Sequence, residues 1–247
     1  MPRYVRTTWV DSPSTSTPIN AANLNNIEVG LTAASLGYDL RWNPPYGVTL
    51  LMADEFNNNS ISGSWSQIDV AGGSSRVTWT ESADALTALT TGSDTSLDHA
   101  MVYSHAVGVG ETVETCVNRT GNPGQAYNYA SIFIADSNVF ASANVAYCQI
   151  YNNGTYPAAI GVVASSFNGA SPSTSTNFPI PYINSQYMRV KRSATNTYDF
   201  SYSQDGTGWI AMGSLSKTMT PAYIGVGAGT AGGTGAYAAA FEYVRCF

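Results

Sequence analysis

Residues 187–209, YMRVKRSATNTYDFSYSQDGTGW, hold two strand-like segments joined by a short polar turn. In the second segment, TYDFSYS (197–203), aromatic side chains alternate with small or polar ones, which is the period of a strand with one buried face. The following Asp205-Gly206 favours a tight turn, because glycine accepts positive φ and aspartate can bond its own backbone. The stretch predicts an antiparallel hairpin followed by a turn, with Trp209 covering one end of the core.

The same pattern extends from Asp54 to the last residue. Short segments rich in Val, Thr, Tyr, Ile and Phe alternate with turn clusters, at intervals of about 8–12 residues. Examples are SRVTWTES, ETVETCVN, YASIFIAD, VAYCQIYN and AFEYVRCF. Because no long helical pattern interrupts these segments, a doubly wound α/β fold is excluded. We predict a mainly β chain in which residues 54–247 form a two-sheet antiparallel sandwich.

Composition and charge exclude several classes of function. Of the 247 residues 44% are hydrophobic and 11% are charged, and the net charge is −6. The 10 basic residues are spread along the chain and cannot neutralise a row of phosphates, so we expect no nucleic-acid partner. No apolar run approaches the roughly 20 residues of a membrane span, and no secretory signal is recognisable. We therefore expect no membrane insertion.

The three cysteines, Cys116, Cys148 and Cys246, form no CxxC pair. Cys116 and Cys148 lie in alternating, strand-like segments. We interpret them as small buried apolar side chains rather than as a disulfide framework or a zinc-binding set.

The first 53 residues have a different character. Residues 1–16 show neither a helical nor a strand period, and Trp9 is their large anchor. Thr17 is a suitable N-cap, and Pro18 occupies the first helical position, where its missing N–H costs nothing. Gly37 is placed to end the helix. We predict an arm with one helix over residues 1–37 and a linker over residues 38–53.

The predicted helix has a narrow apolar stripe. Leu24, Ile27, Leu31 and Ala34 recur at spacings of three and four residues. A helix of about five turns is too short to be stable alone in water, so the stripe must pack on something. Three arrangements stay open: a short coiled coil, most simply three-stranded, docking onto another protein, and packing on the chain's own domain.

The β region resembles the concanavalin A-like lectin and glucanase superfamily over about residues 50–247. Three segments carry the resemblance: DEFNNNSISGSWSQ (54–67), the hairpin stretch 187–209, and PAYIGVGAG with YAAAFEYVRCF (221–247). In that superfamily these segments correspond to the opening strand, two paired back strands and the closing strands. The resemblance implies a jelly-roll sandwich whose last strand returns beside its first.

The N-terminal segment TTWVDSPSTSTPINAANLNNIEVGL (7–31) is similar to the start of many bacteriophage fibre and minor virion proteins. The resemblance implies a virion protein made in the host cytoplasm: a head fibre, a capsid decoration or a tail-fibre component. It implies that the arm binds other virion proteins and that the β domain faces outward, commonly as a homotrimer. The docking or oligomerisation residues would be Trp9, Ile19, Leu24, Ile27 and Leu31.

Catalysis has no support in the sequence. Retaining glucanases of this superfamily carry a Glu-x-Asp-x-x-Glu strand, and the chain has none. The nearest carboxylate pairs, Glu111/Glu114 and Glu81/Asp84, have a spacing that puts the partners on opposite strand faces. We interpret both pairs as solvated edge charges and predict no enzyme activity. The alternative is a carbohydrate-active enzyme or a free lectin with the same fold.

The two histidines, His99 and His105, lie six residues apart beside Asp98. They would share one face of an extended strand and could in principle hold a metal ion. We prefer the simpler interpretation of a surface strand with ordinary histidines, and we predict neither a metal site nor a cofactor.

Four tyrosines are candidate glycan-binding residues. Tyr127, Tyr129, Tyr151 and Tyr156 lie in Asn- and Gly-rich sequence. Aromatic rings beside amide side chains are a common means of gripping sugars, and loops at sandwich ends often carry such sites. In the competing interpretation these tyrosines fill the core and a trimer contact. Host-surface or environmental glycans are the predicted ligands if the first interpretation holds.

Overall fold

A computed structural model describes residues 49–69, 77–82, 84–90, 99–121, 128–139, 143–151, 159–166, 175–179, 185–230 and 237–247. The predicted arm, residues 1–37 with Trp9, Ile19, Leu24, Ile27 and Leu31, lies outside these residues, as do Tyr127 and Tyr156. Within the described ranges, no helix is long and apolar enough to cross a bilayer.

The described residues form strands and no helix. The strands are β1 Met52–Asp54, β2 Trp65–Asp69, β3 Val77–Ser82, β4 Ala85–Thr90, β5 His99–Ser104, β6 Thr112–Gly121, β7 Asn128–Ala135, β8 Asn144–Tyr151, β9 Ala159–Ser166, β10 Ser175–Pro179, β11 Ser185–Ala194, β12 Thr197–Ser203, β13 Ile210–Ser216, β14 Tyr223–Thr230 and β15 Tyr237–Cys246.

These strands build two antiparallel sheets. One has the order β13-β12-β11-β6-β15-β4-β3, with β1 added against β15, and the other has the order β10-β9-β8-β7-β14-β5-β2. Met52 pairs with Cys246, so the first described strand lies beside the last, and the end of the predicted linker is part of the sheet. The mainly β, two-sheet sandwich predicted from the sequence is confirmed.

The main core lies between the sheets. Because successive side chains of a strand point to opposite faces, every second residue enters this core. The seven-stranded sheet contributes Ala130, Ile132, Ile134, Ile224, Val226 and Ala228, and the eight-stranded sheet contributes Val113, Val117, Met188, Phe200, Phe241 and Val244. Cys116 and Cys148 are buried, as predicted, and Cys246 is buried as well; among the described residues the cysteines form no disulfide bond.

The opening segment is fixed by Asp54. One oxygen of its carboxylate accepts a hydrogen bond from the Phe56 amide at 2.9 Å, and the other accepts one from Trp65 Nε1 at 2.8 Å. Both Phe56 and Trp65 are buried in the main core. The Asp-x-Phe…Trp pattern of the sequence therefore ties the loop after β1 to the start of β2.

The predicted hairpin is formed by β11 and β12. The turn after β12 forms as predicted, but Trp209 lies elsewhere than expected. Gly206 has a φ of 76°, and Asp205 Oδ1 accepts hydrogen bonds from the Thr207 and Gly208 amides at 2.8 Å each. These bonds hold the pKa of Asp205 well below its usual value. The prediction that Trp209 covers the core is wrong: its ring stacks on the Arg189 guanidinium, 3.4 Å from the ring centroid.

Candidate functional site

The outer side of the seven-stranded sheet carries a group of aromatic side chains, here called the aromatic face. It consists of Tyr129, Phe133, Tyr147, Tyr151 and Tyr223. These residues alternate along β7, β8 and β14 with residues of the main core, so they point away from it. The aromatic face is a second apolar cluster, separate from the core between the sheets.

Strand register arranges the aromatic face in pairs. Tyr129 lies opposite Tyr151, and Phe133 lies opposite Tyr147. Tyr129 and Tyr147 are each 2% exposed, whereas Tyr151 and Tyr223 are partly exposed. Burial raises the pKa of the Tyr147 hydroxyl well above its usual value, with a smaller effect from Tyr151. Tyr129, Phe133 and Tyr147 are therefore buried, and Tyr151 and Tyr223 are the rings of the aromatic face that are partly exposed.

Glycines of β14 make room for these rings. Gly225, Gly227 and Gly229 alternate with core residues and lie on the same side as the aromatic face. A Cβ on Gly225 would lie 2.9 Å from Phe133 Cε2, and one on Gly229 would lie 2.6 Å from Tyr129 Cζ. The rings of β7 thus lean across β14, where any side chain would displace them.

A polar row, formed by Gln149, Ser131 and Gly227, crosses the aromatic face between the two ring pairs. Ser131 lies opposite both Gln149 on β8 and Gly227 on β14. Ser131 Oγ donates to the Gly227 carbonyl at 3.3 Å. Gln149 Oε1 is buried and has no hydrogen-bond partner among the described residues. Because buried polar atoms are nearly always hydrogen-bonded, this oxygen is an acceptor that a water molecule or a ligand hydroxyl could satisfy.

Charge is almost absent from this sheet. In the described parts of its seven strands, Asp69 at the end of β2 is the one residue with a carboxyl group, and there is no Lys or Arg. Small-molecule sites are typically lined by apolar and aromatic side chains with a few placed polar groups, and the aromatic face has this composition. Such a surface can bind and orient a ligand, but it offers no pair of carboxylates.

Glu114, on the eight-stranded sheet, is not the solvated edge charge that the sequence suggested. It is 0% exposed, and Arg189 and Arg245 lie beside it in register on the two neighbouring strands. Both arginines donate to its carboxylate, and the Tyr243 hydroxyl donates at 2.6 Å. Desolvation by burial lowers the pKa of Arg189, which Glu114 opposes. Cross-strand pairing thus makes burial of this carboxylate tolerable.

The other carboxylates that the sequence suggested to be edge charges differ in their exposure. Glu81 is also buried, at 8% exposure, because its Oε1 accepts a hydrogen bond from the Asn58 amide at 3.1 Å. Asp84 is exposed as expected, and Glu111 is half-buried. The spacing of these carboxylates along the chain could not reveal that their hydrogen-bond donors come from distant segments.

The interpretation of the histidines as surface residues is wrong for His99, which is fully buried at the start of β5. His105 follows β5 and lies near Glu111 and Cys246, with its Nε2 3.8 Å from Glu111 Oε2. These three residues can hold a metal ion. Burial raises the pKa of the Cys246 thiol to about 12, with a smaller contribution from Glu111, so the free thiol is protonated at neutral pH.

Of the four candidate glycan-binding tyrosines, the structure brings two together. Tyr129 and Tyr151 are cross-strand neighbours on the aromatic face, while Tyr127 and Tyr156 lie outside the described residues. Sequence reasoning missed Phe133, Tyr147 and Gln149. For Phe133 a signal was available in NYASIFIA (128–135), because apolar residues at both alternating positions of ASIFIA indicate a strand covered on both faces, and the residues of this strand are all buried.

Comparison with known proteins gives a likeness in fold. No protein-family model matches the sequence, and a search of curated proteins finds no relative. A GH43 protein from Bacillus licheniformis is 15% identical with a TM-score of 0.59; the match covers 83% of this chain and 40% of that protein. A beta-1,3-glucanase from Mycobacterium marinum is 14% identical with a TM-score of 0.51, covering 81% of this chain and 100% of that one.

A pseudo beta-1,3-glucanase of Mycobacterium tuberculosis is 13% identical with a TM-score of 0.51, covering 80% of this chain and 98% of that one. The chain therefore spans less than half the length of the GH43 protein and nearly all of the two glucanase-type structures. Together with the strand order, these likenesses show that the β region has the concanavalin A-like, glucanase-type sandwich fold.

Proposed function

We propose that the sandwich binds glycans through the aromatic face and does not cleave them. The observation that carries this proposal is the buried Gln149 Oε1, which has no hydrogen-bond partner among the described residues and lies between two pairs of aromatic residues. A sugar supplies both things that this arrangement lacks. Its hydroxyl groups donate hydrogen bonds, and its C–H surfaces pack on rings.

The dimensions fit a short oligosaccharide. The Tyr129–Tyr151 and Phe133–Tyr147 pairs are four residues apart along β7, which corresponds to about 13 Å. The polar row lies midway between them. Tyr151 and Tyr223 are partly exposed, so their rings would contact the sugar directly. Gln149 is also partly exposed, and its side chain would turn its buried Oε1 outward to accept from a sugar hydroxyl.

The distribution of carboxylates supports binding rather than hydrolysis. A retaining glycosidase needs two carboxyl groups about 5–5.5 Å apart, one of them free to donate a proton. The strands of the seven-stranded sheet carry Asp69 alone in their described parts. Glu114, on the other sheet, is occupied by two arginines and a tyrosine. A carbohydrate-active enzyme remains the second candidate, favoured by the fold that the chain shares with the glucanase-type structures.

Calorimetric titration of the full chain with β-1,3-glucan and xylan oligosaccharides tests this proposal. We expect saturable binding of at least one of them and no release of reducing ends. Tyr151→Ala removes an accessible ring, and Gln149→Leu removes the acceptor at similar volume; each should weaken binding about tenfold.

Ile210→Ala is the matched control, because Ile210 is 51% exposed and lies on the eight-stranded sheet. Its affinity should equal that of the unaltered chain. Binding that survives both site substitutions would place the sugar elsewhere, and release of reducing ends would favour the enzyme.

We further propose that the chain is a virion component displayed by residues 1–37 as a homotrimer. The support is the likeness of residues 7–31 to the start of phage fibre proteins. The arm would bind other virion proteins, of the head or of the tail, and leave the sandwich free to meet glycans on a host surface.

A further inference from the structure

The connection between β5 and β6 passes from one sheet to the other, and its ends are held by backbone hydrogen bonds. The His105 amide donates to the Ala222 carbonyl at 3.0 Å, which fixes it to the seven-stranded sheet. Thr112 and Phe247 exchange hydrogen bonds at 2.7 and 3.0 Å, which fixes the residues next to Glu111 and Cys246 on the eight-stranded sheet. Three side chains that can ligate a metal ion, those of His105, Glu111 and Cys246, therefore lie on backbone that is held by hydrogen bonds.

Their ligand atoms are spaced for one ion. His105 Nε2 and Cys246 Sγ each lie 3.8 Å from Glu111 Oε2, and the three atoms all lie within 4.8 Å of one another. Zn–N, Zn–O and Zn–S bonds of about 2.0–2.3 Å at tetrahedral angles separate the ligand atoms by roughly 3.3–3.6 Å. Small side-chain adjustments would bring the set to that geometry.

Two further observations point to a ligand. His105 Nε2 is buried and has no hydrogen-bond partner among the described residues. Glu111 Oε2 accepts a hydrogen bond from the Gly108 amide at 2.8 Å, and a Cβ on Gly108 would lie 3.1 Å from the Glu111 carboxyl carbon. Glycine thus allows the carboxylate to fold back toward His105, and the amide orients it as an outer-sphere partner does.

We propose that His105, Glu111 and Cys246 bind one Zn²⁺ ion. A thiolate and an imidazole favour zinc over magnesium or calcium, which prefer oxygen ligands. Three protein ligands leave a fourth position for water. The ion would join the end of β5 to the last residue of β15 and so connect the two sheets at this end of the sandwich. The site is on a different surface element from the aromatic face and does not depend on glycan binding.

Cobalt titration of the full chain, freed of any affinity tag, tests the site. Co²⁺ is the probe because a cobalt–thiolate bond has a near-ultraviolet charge-transfer band that carboxylate or imidazole ligation lacks. We expect one Co²⁺ per chain, the thiolate band, displacement by Zn²⁺, and a higher melting temperature with Zn²⁺ than with chelator. His105→Gln and Cys246→Ser should each lower Zn²⁺ affinity by more than about 100-fold, the upper range for outer-sphere changes.

Cys148→Ala is the control, since Cys148 is a buried thiol in the main core and outside the cluster. It should keep the band and the zinc-dependent rise in melting temperature. If either ligand variant fails to fold, the other variant and Glu111→Gln carry the test. A chain that binds Co²⁺ without a thiolate band, or a folded His105→Gln variant with unchanged Zn²⁺ affinity, overturns the proposal.

Discussion

Two buried polar groups, the Glu114 carboxylate and the Gln149 side-chain oxygen, differ in how many hydrogen-bond donors the fold gives them. The Glu114 carboxylate receives donors from Arg189, Arg245 and Tyr243. Gln149 Oε1 receives none from the described residues. A buried charge without partners costs several kcal/mol, so the fold requires that the Glu114 carboxylate keep its hydrogen-bond donors. Gln149 Oε1 is an unsatisfied acceptor whose cost a ligand can offset, which is why the glycan-binding proposal rests on it, whereas Glu114 has a structural role.

The Glu114 network predicts a large loss of stability on substitution. Glu114→Leu leaves Arg245, which is 5% exposed, as a buried charge whose other side-chain nitrogens have no hydrogen-bond partner among the described residues. We expect the free energy of unfolding to fall by about 3–5 kcal/mol in urea titrations. Glu55→Gln, at a partly exposed position on the same sheet's edge loop, should change it by less than about 0.5 kcal/mol. Equal effects would mean that Glu114 is solvated after all.

At the scale of elements, β14 shows how one strand serves two surfaces. Its sequence YIGVGAGT (223–230) places Ile224, Val226 and Ala228 in the main core. Of the intervening glycines, Gly225 lies against the Phe133 ring and Gly229 against the Tyr129 ring. Glycine weakens an isolated strand, but here its lack of a side chain lets a neighbouring strand's rings lie flat. The aromatic face thus depends on small residues as much as on aromatic ones.

Gly225→Ala tests this dependence. The new Cβ would lie 2.9 Å from Phe133 Cε2 and closer still to the Met101 carbonyl oxygen, which is backbone and cannot move aside. We expect a loss of about 1–3 kcal/mol in the free energy of unfolding, as for other overpacked sites. Gly63→Ala is the matched comparison, because nothing lies within 4 Å of a Cβ there. A similar small loss for both variants in urea titrations would show that the Met101 backbone and the Phe133 ring both shift to admit the methyl group.

The sequence predicts those elements that depend on local patterns. The alternation of residues and the turn residues predict the β11–β12 hairpin. The Asp-x-Phe…Trp pattern that begins at Asp54 predicts the opening segment of the sandwich. Glu114 was misjudged because its partners come from β11 and β15, and no spacing along the chain reveals strand register. For the same reason, the approach of His105 to Cys246 could not be foreseen: β5 and β15 belong to different sheets. Local structure can be predicted from the sequence, whereas the neighbours of a residue on other strands become known only from the fold.

At the scale of the whole molecule, the proposal to be tested is that the arm joins three chains. Leu50 and Leu51, in the last part of the predicted linker, are 38% and 49% exposed. The apolar stripe of the predicted helix, too short to be stable alone, also needs a partner. A trimer that joins three arms would bury the apolar stripes of the three helices against one another. It would also place three aromatic faces on one particle, which multiplies the strength of weak individual sites.

This arrangement predicts different effects of truncation on two kinds of binding. The full chain should have a solution mass of three times 26.1 kDa, and a chain beginning at Val48 should be a monomer. Affinity for a free oligosaccharide should be the same for both, because the aromatic face lies within residues 128–229. Retention on a glycan-coated surface should fall by about 100-fold or more on truncation, since avidity is lost. Light scattering measures the solution mass and surface binding measures the retention, on the same samples.

Two outcomes would contradict this arrangement. A full chain that is a monomer would rule out the trimer and leave the proposed sugar site unaffected. Equal surface retention of a trimer and its truncated monomer would show that the three sites cannot engage one surface together.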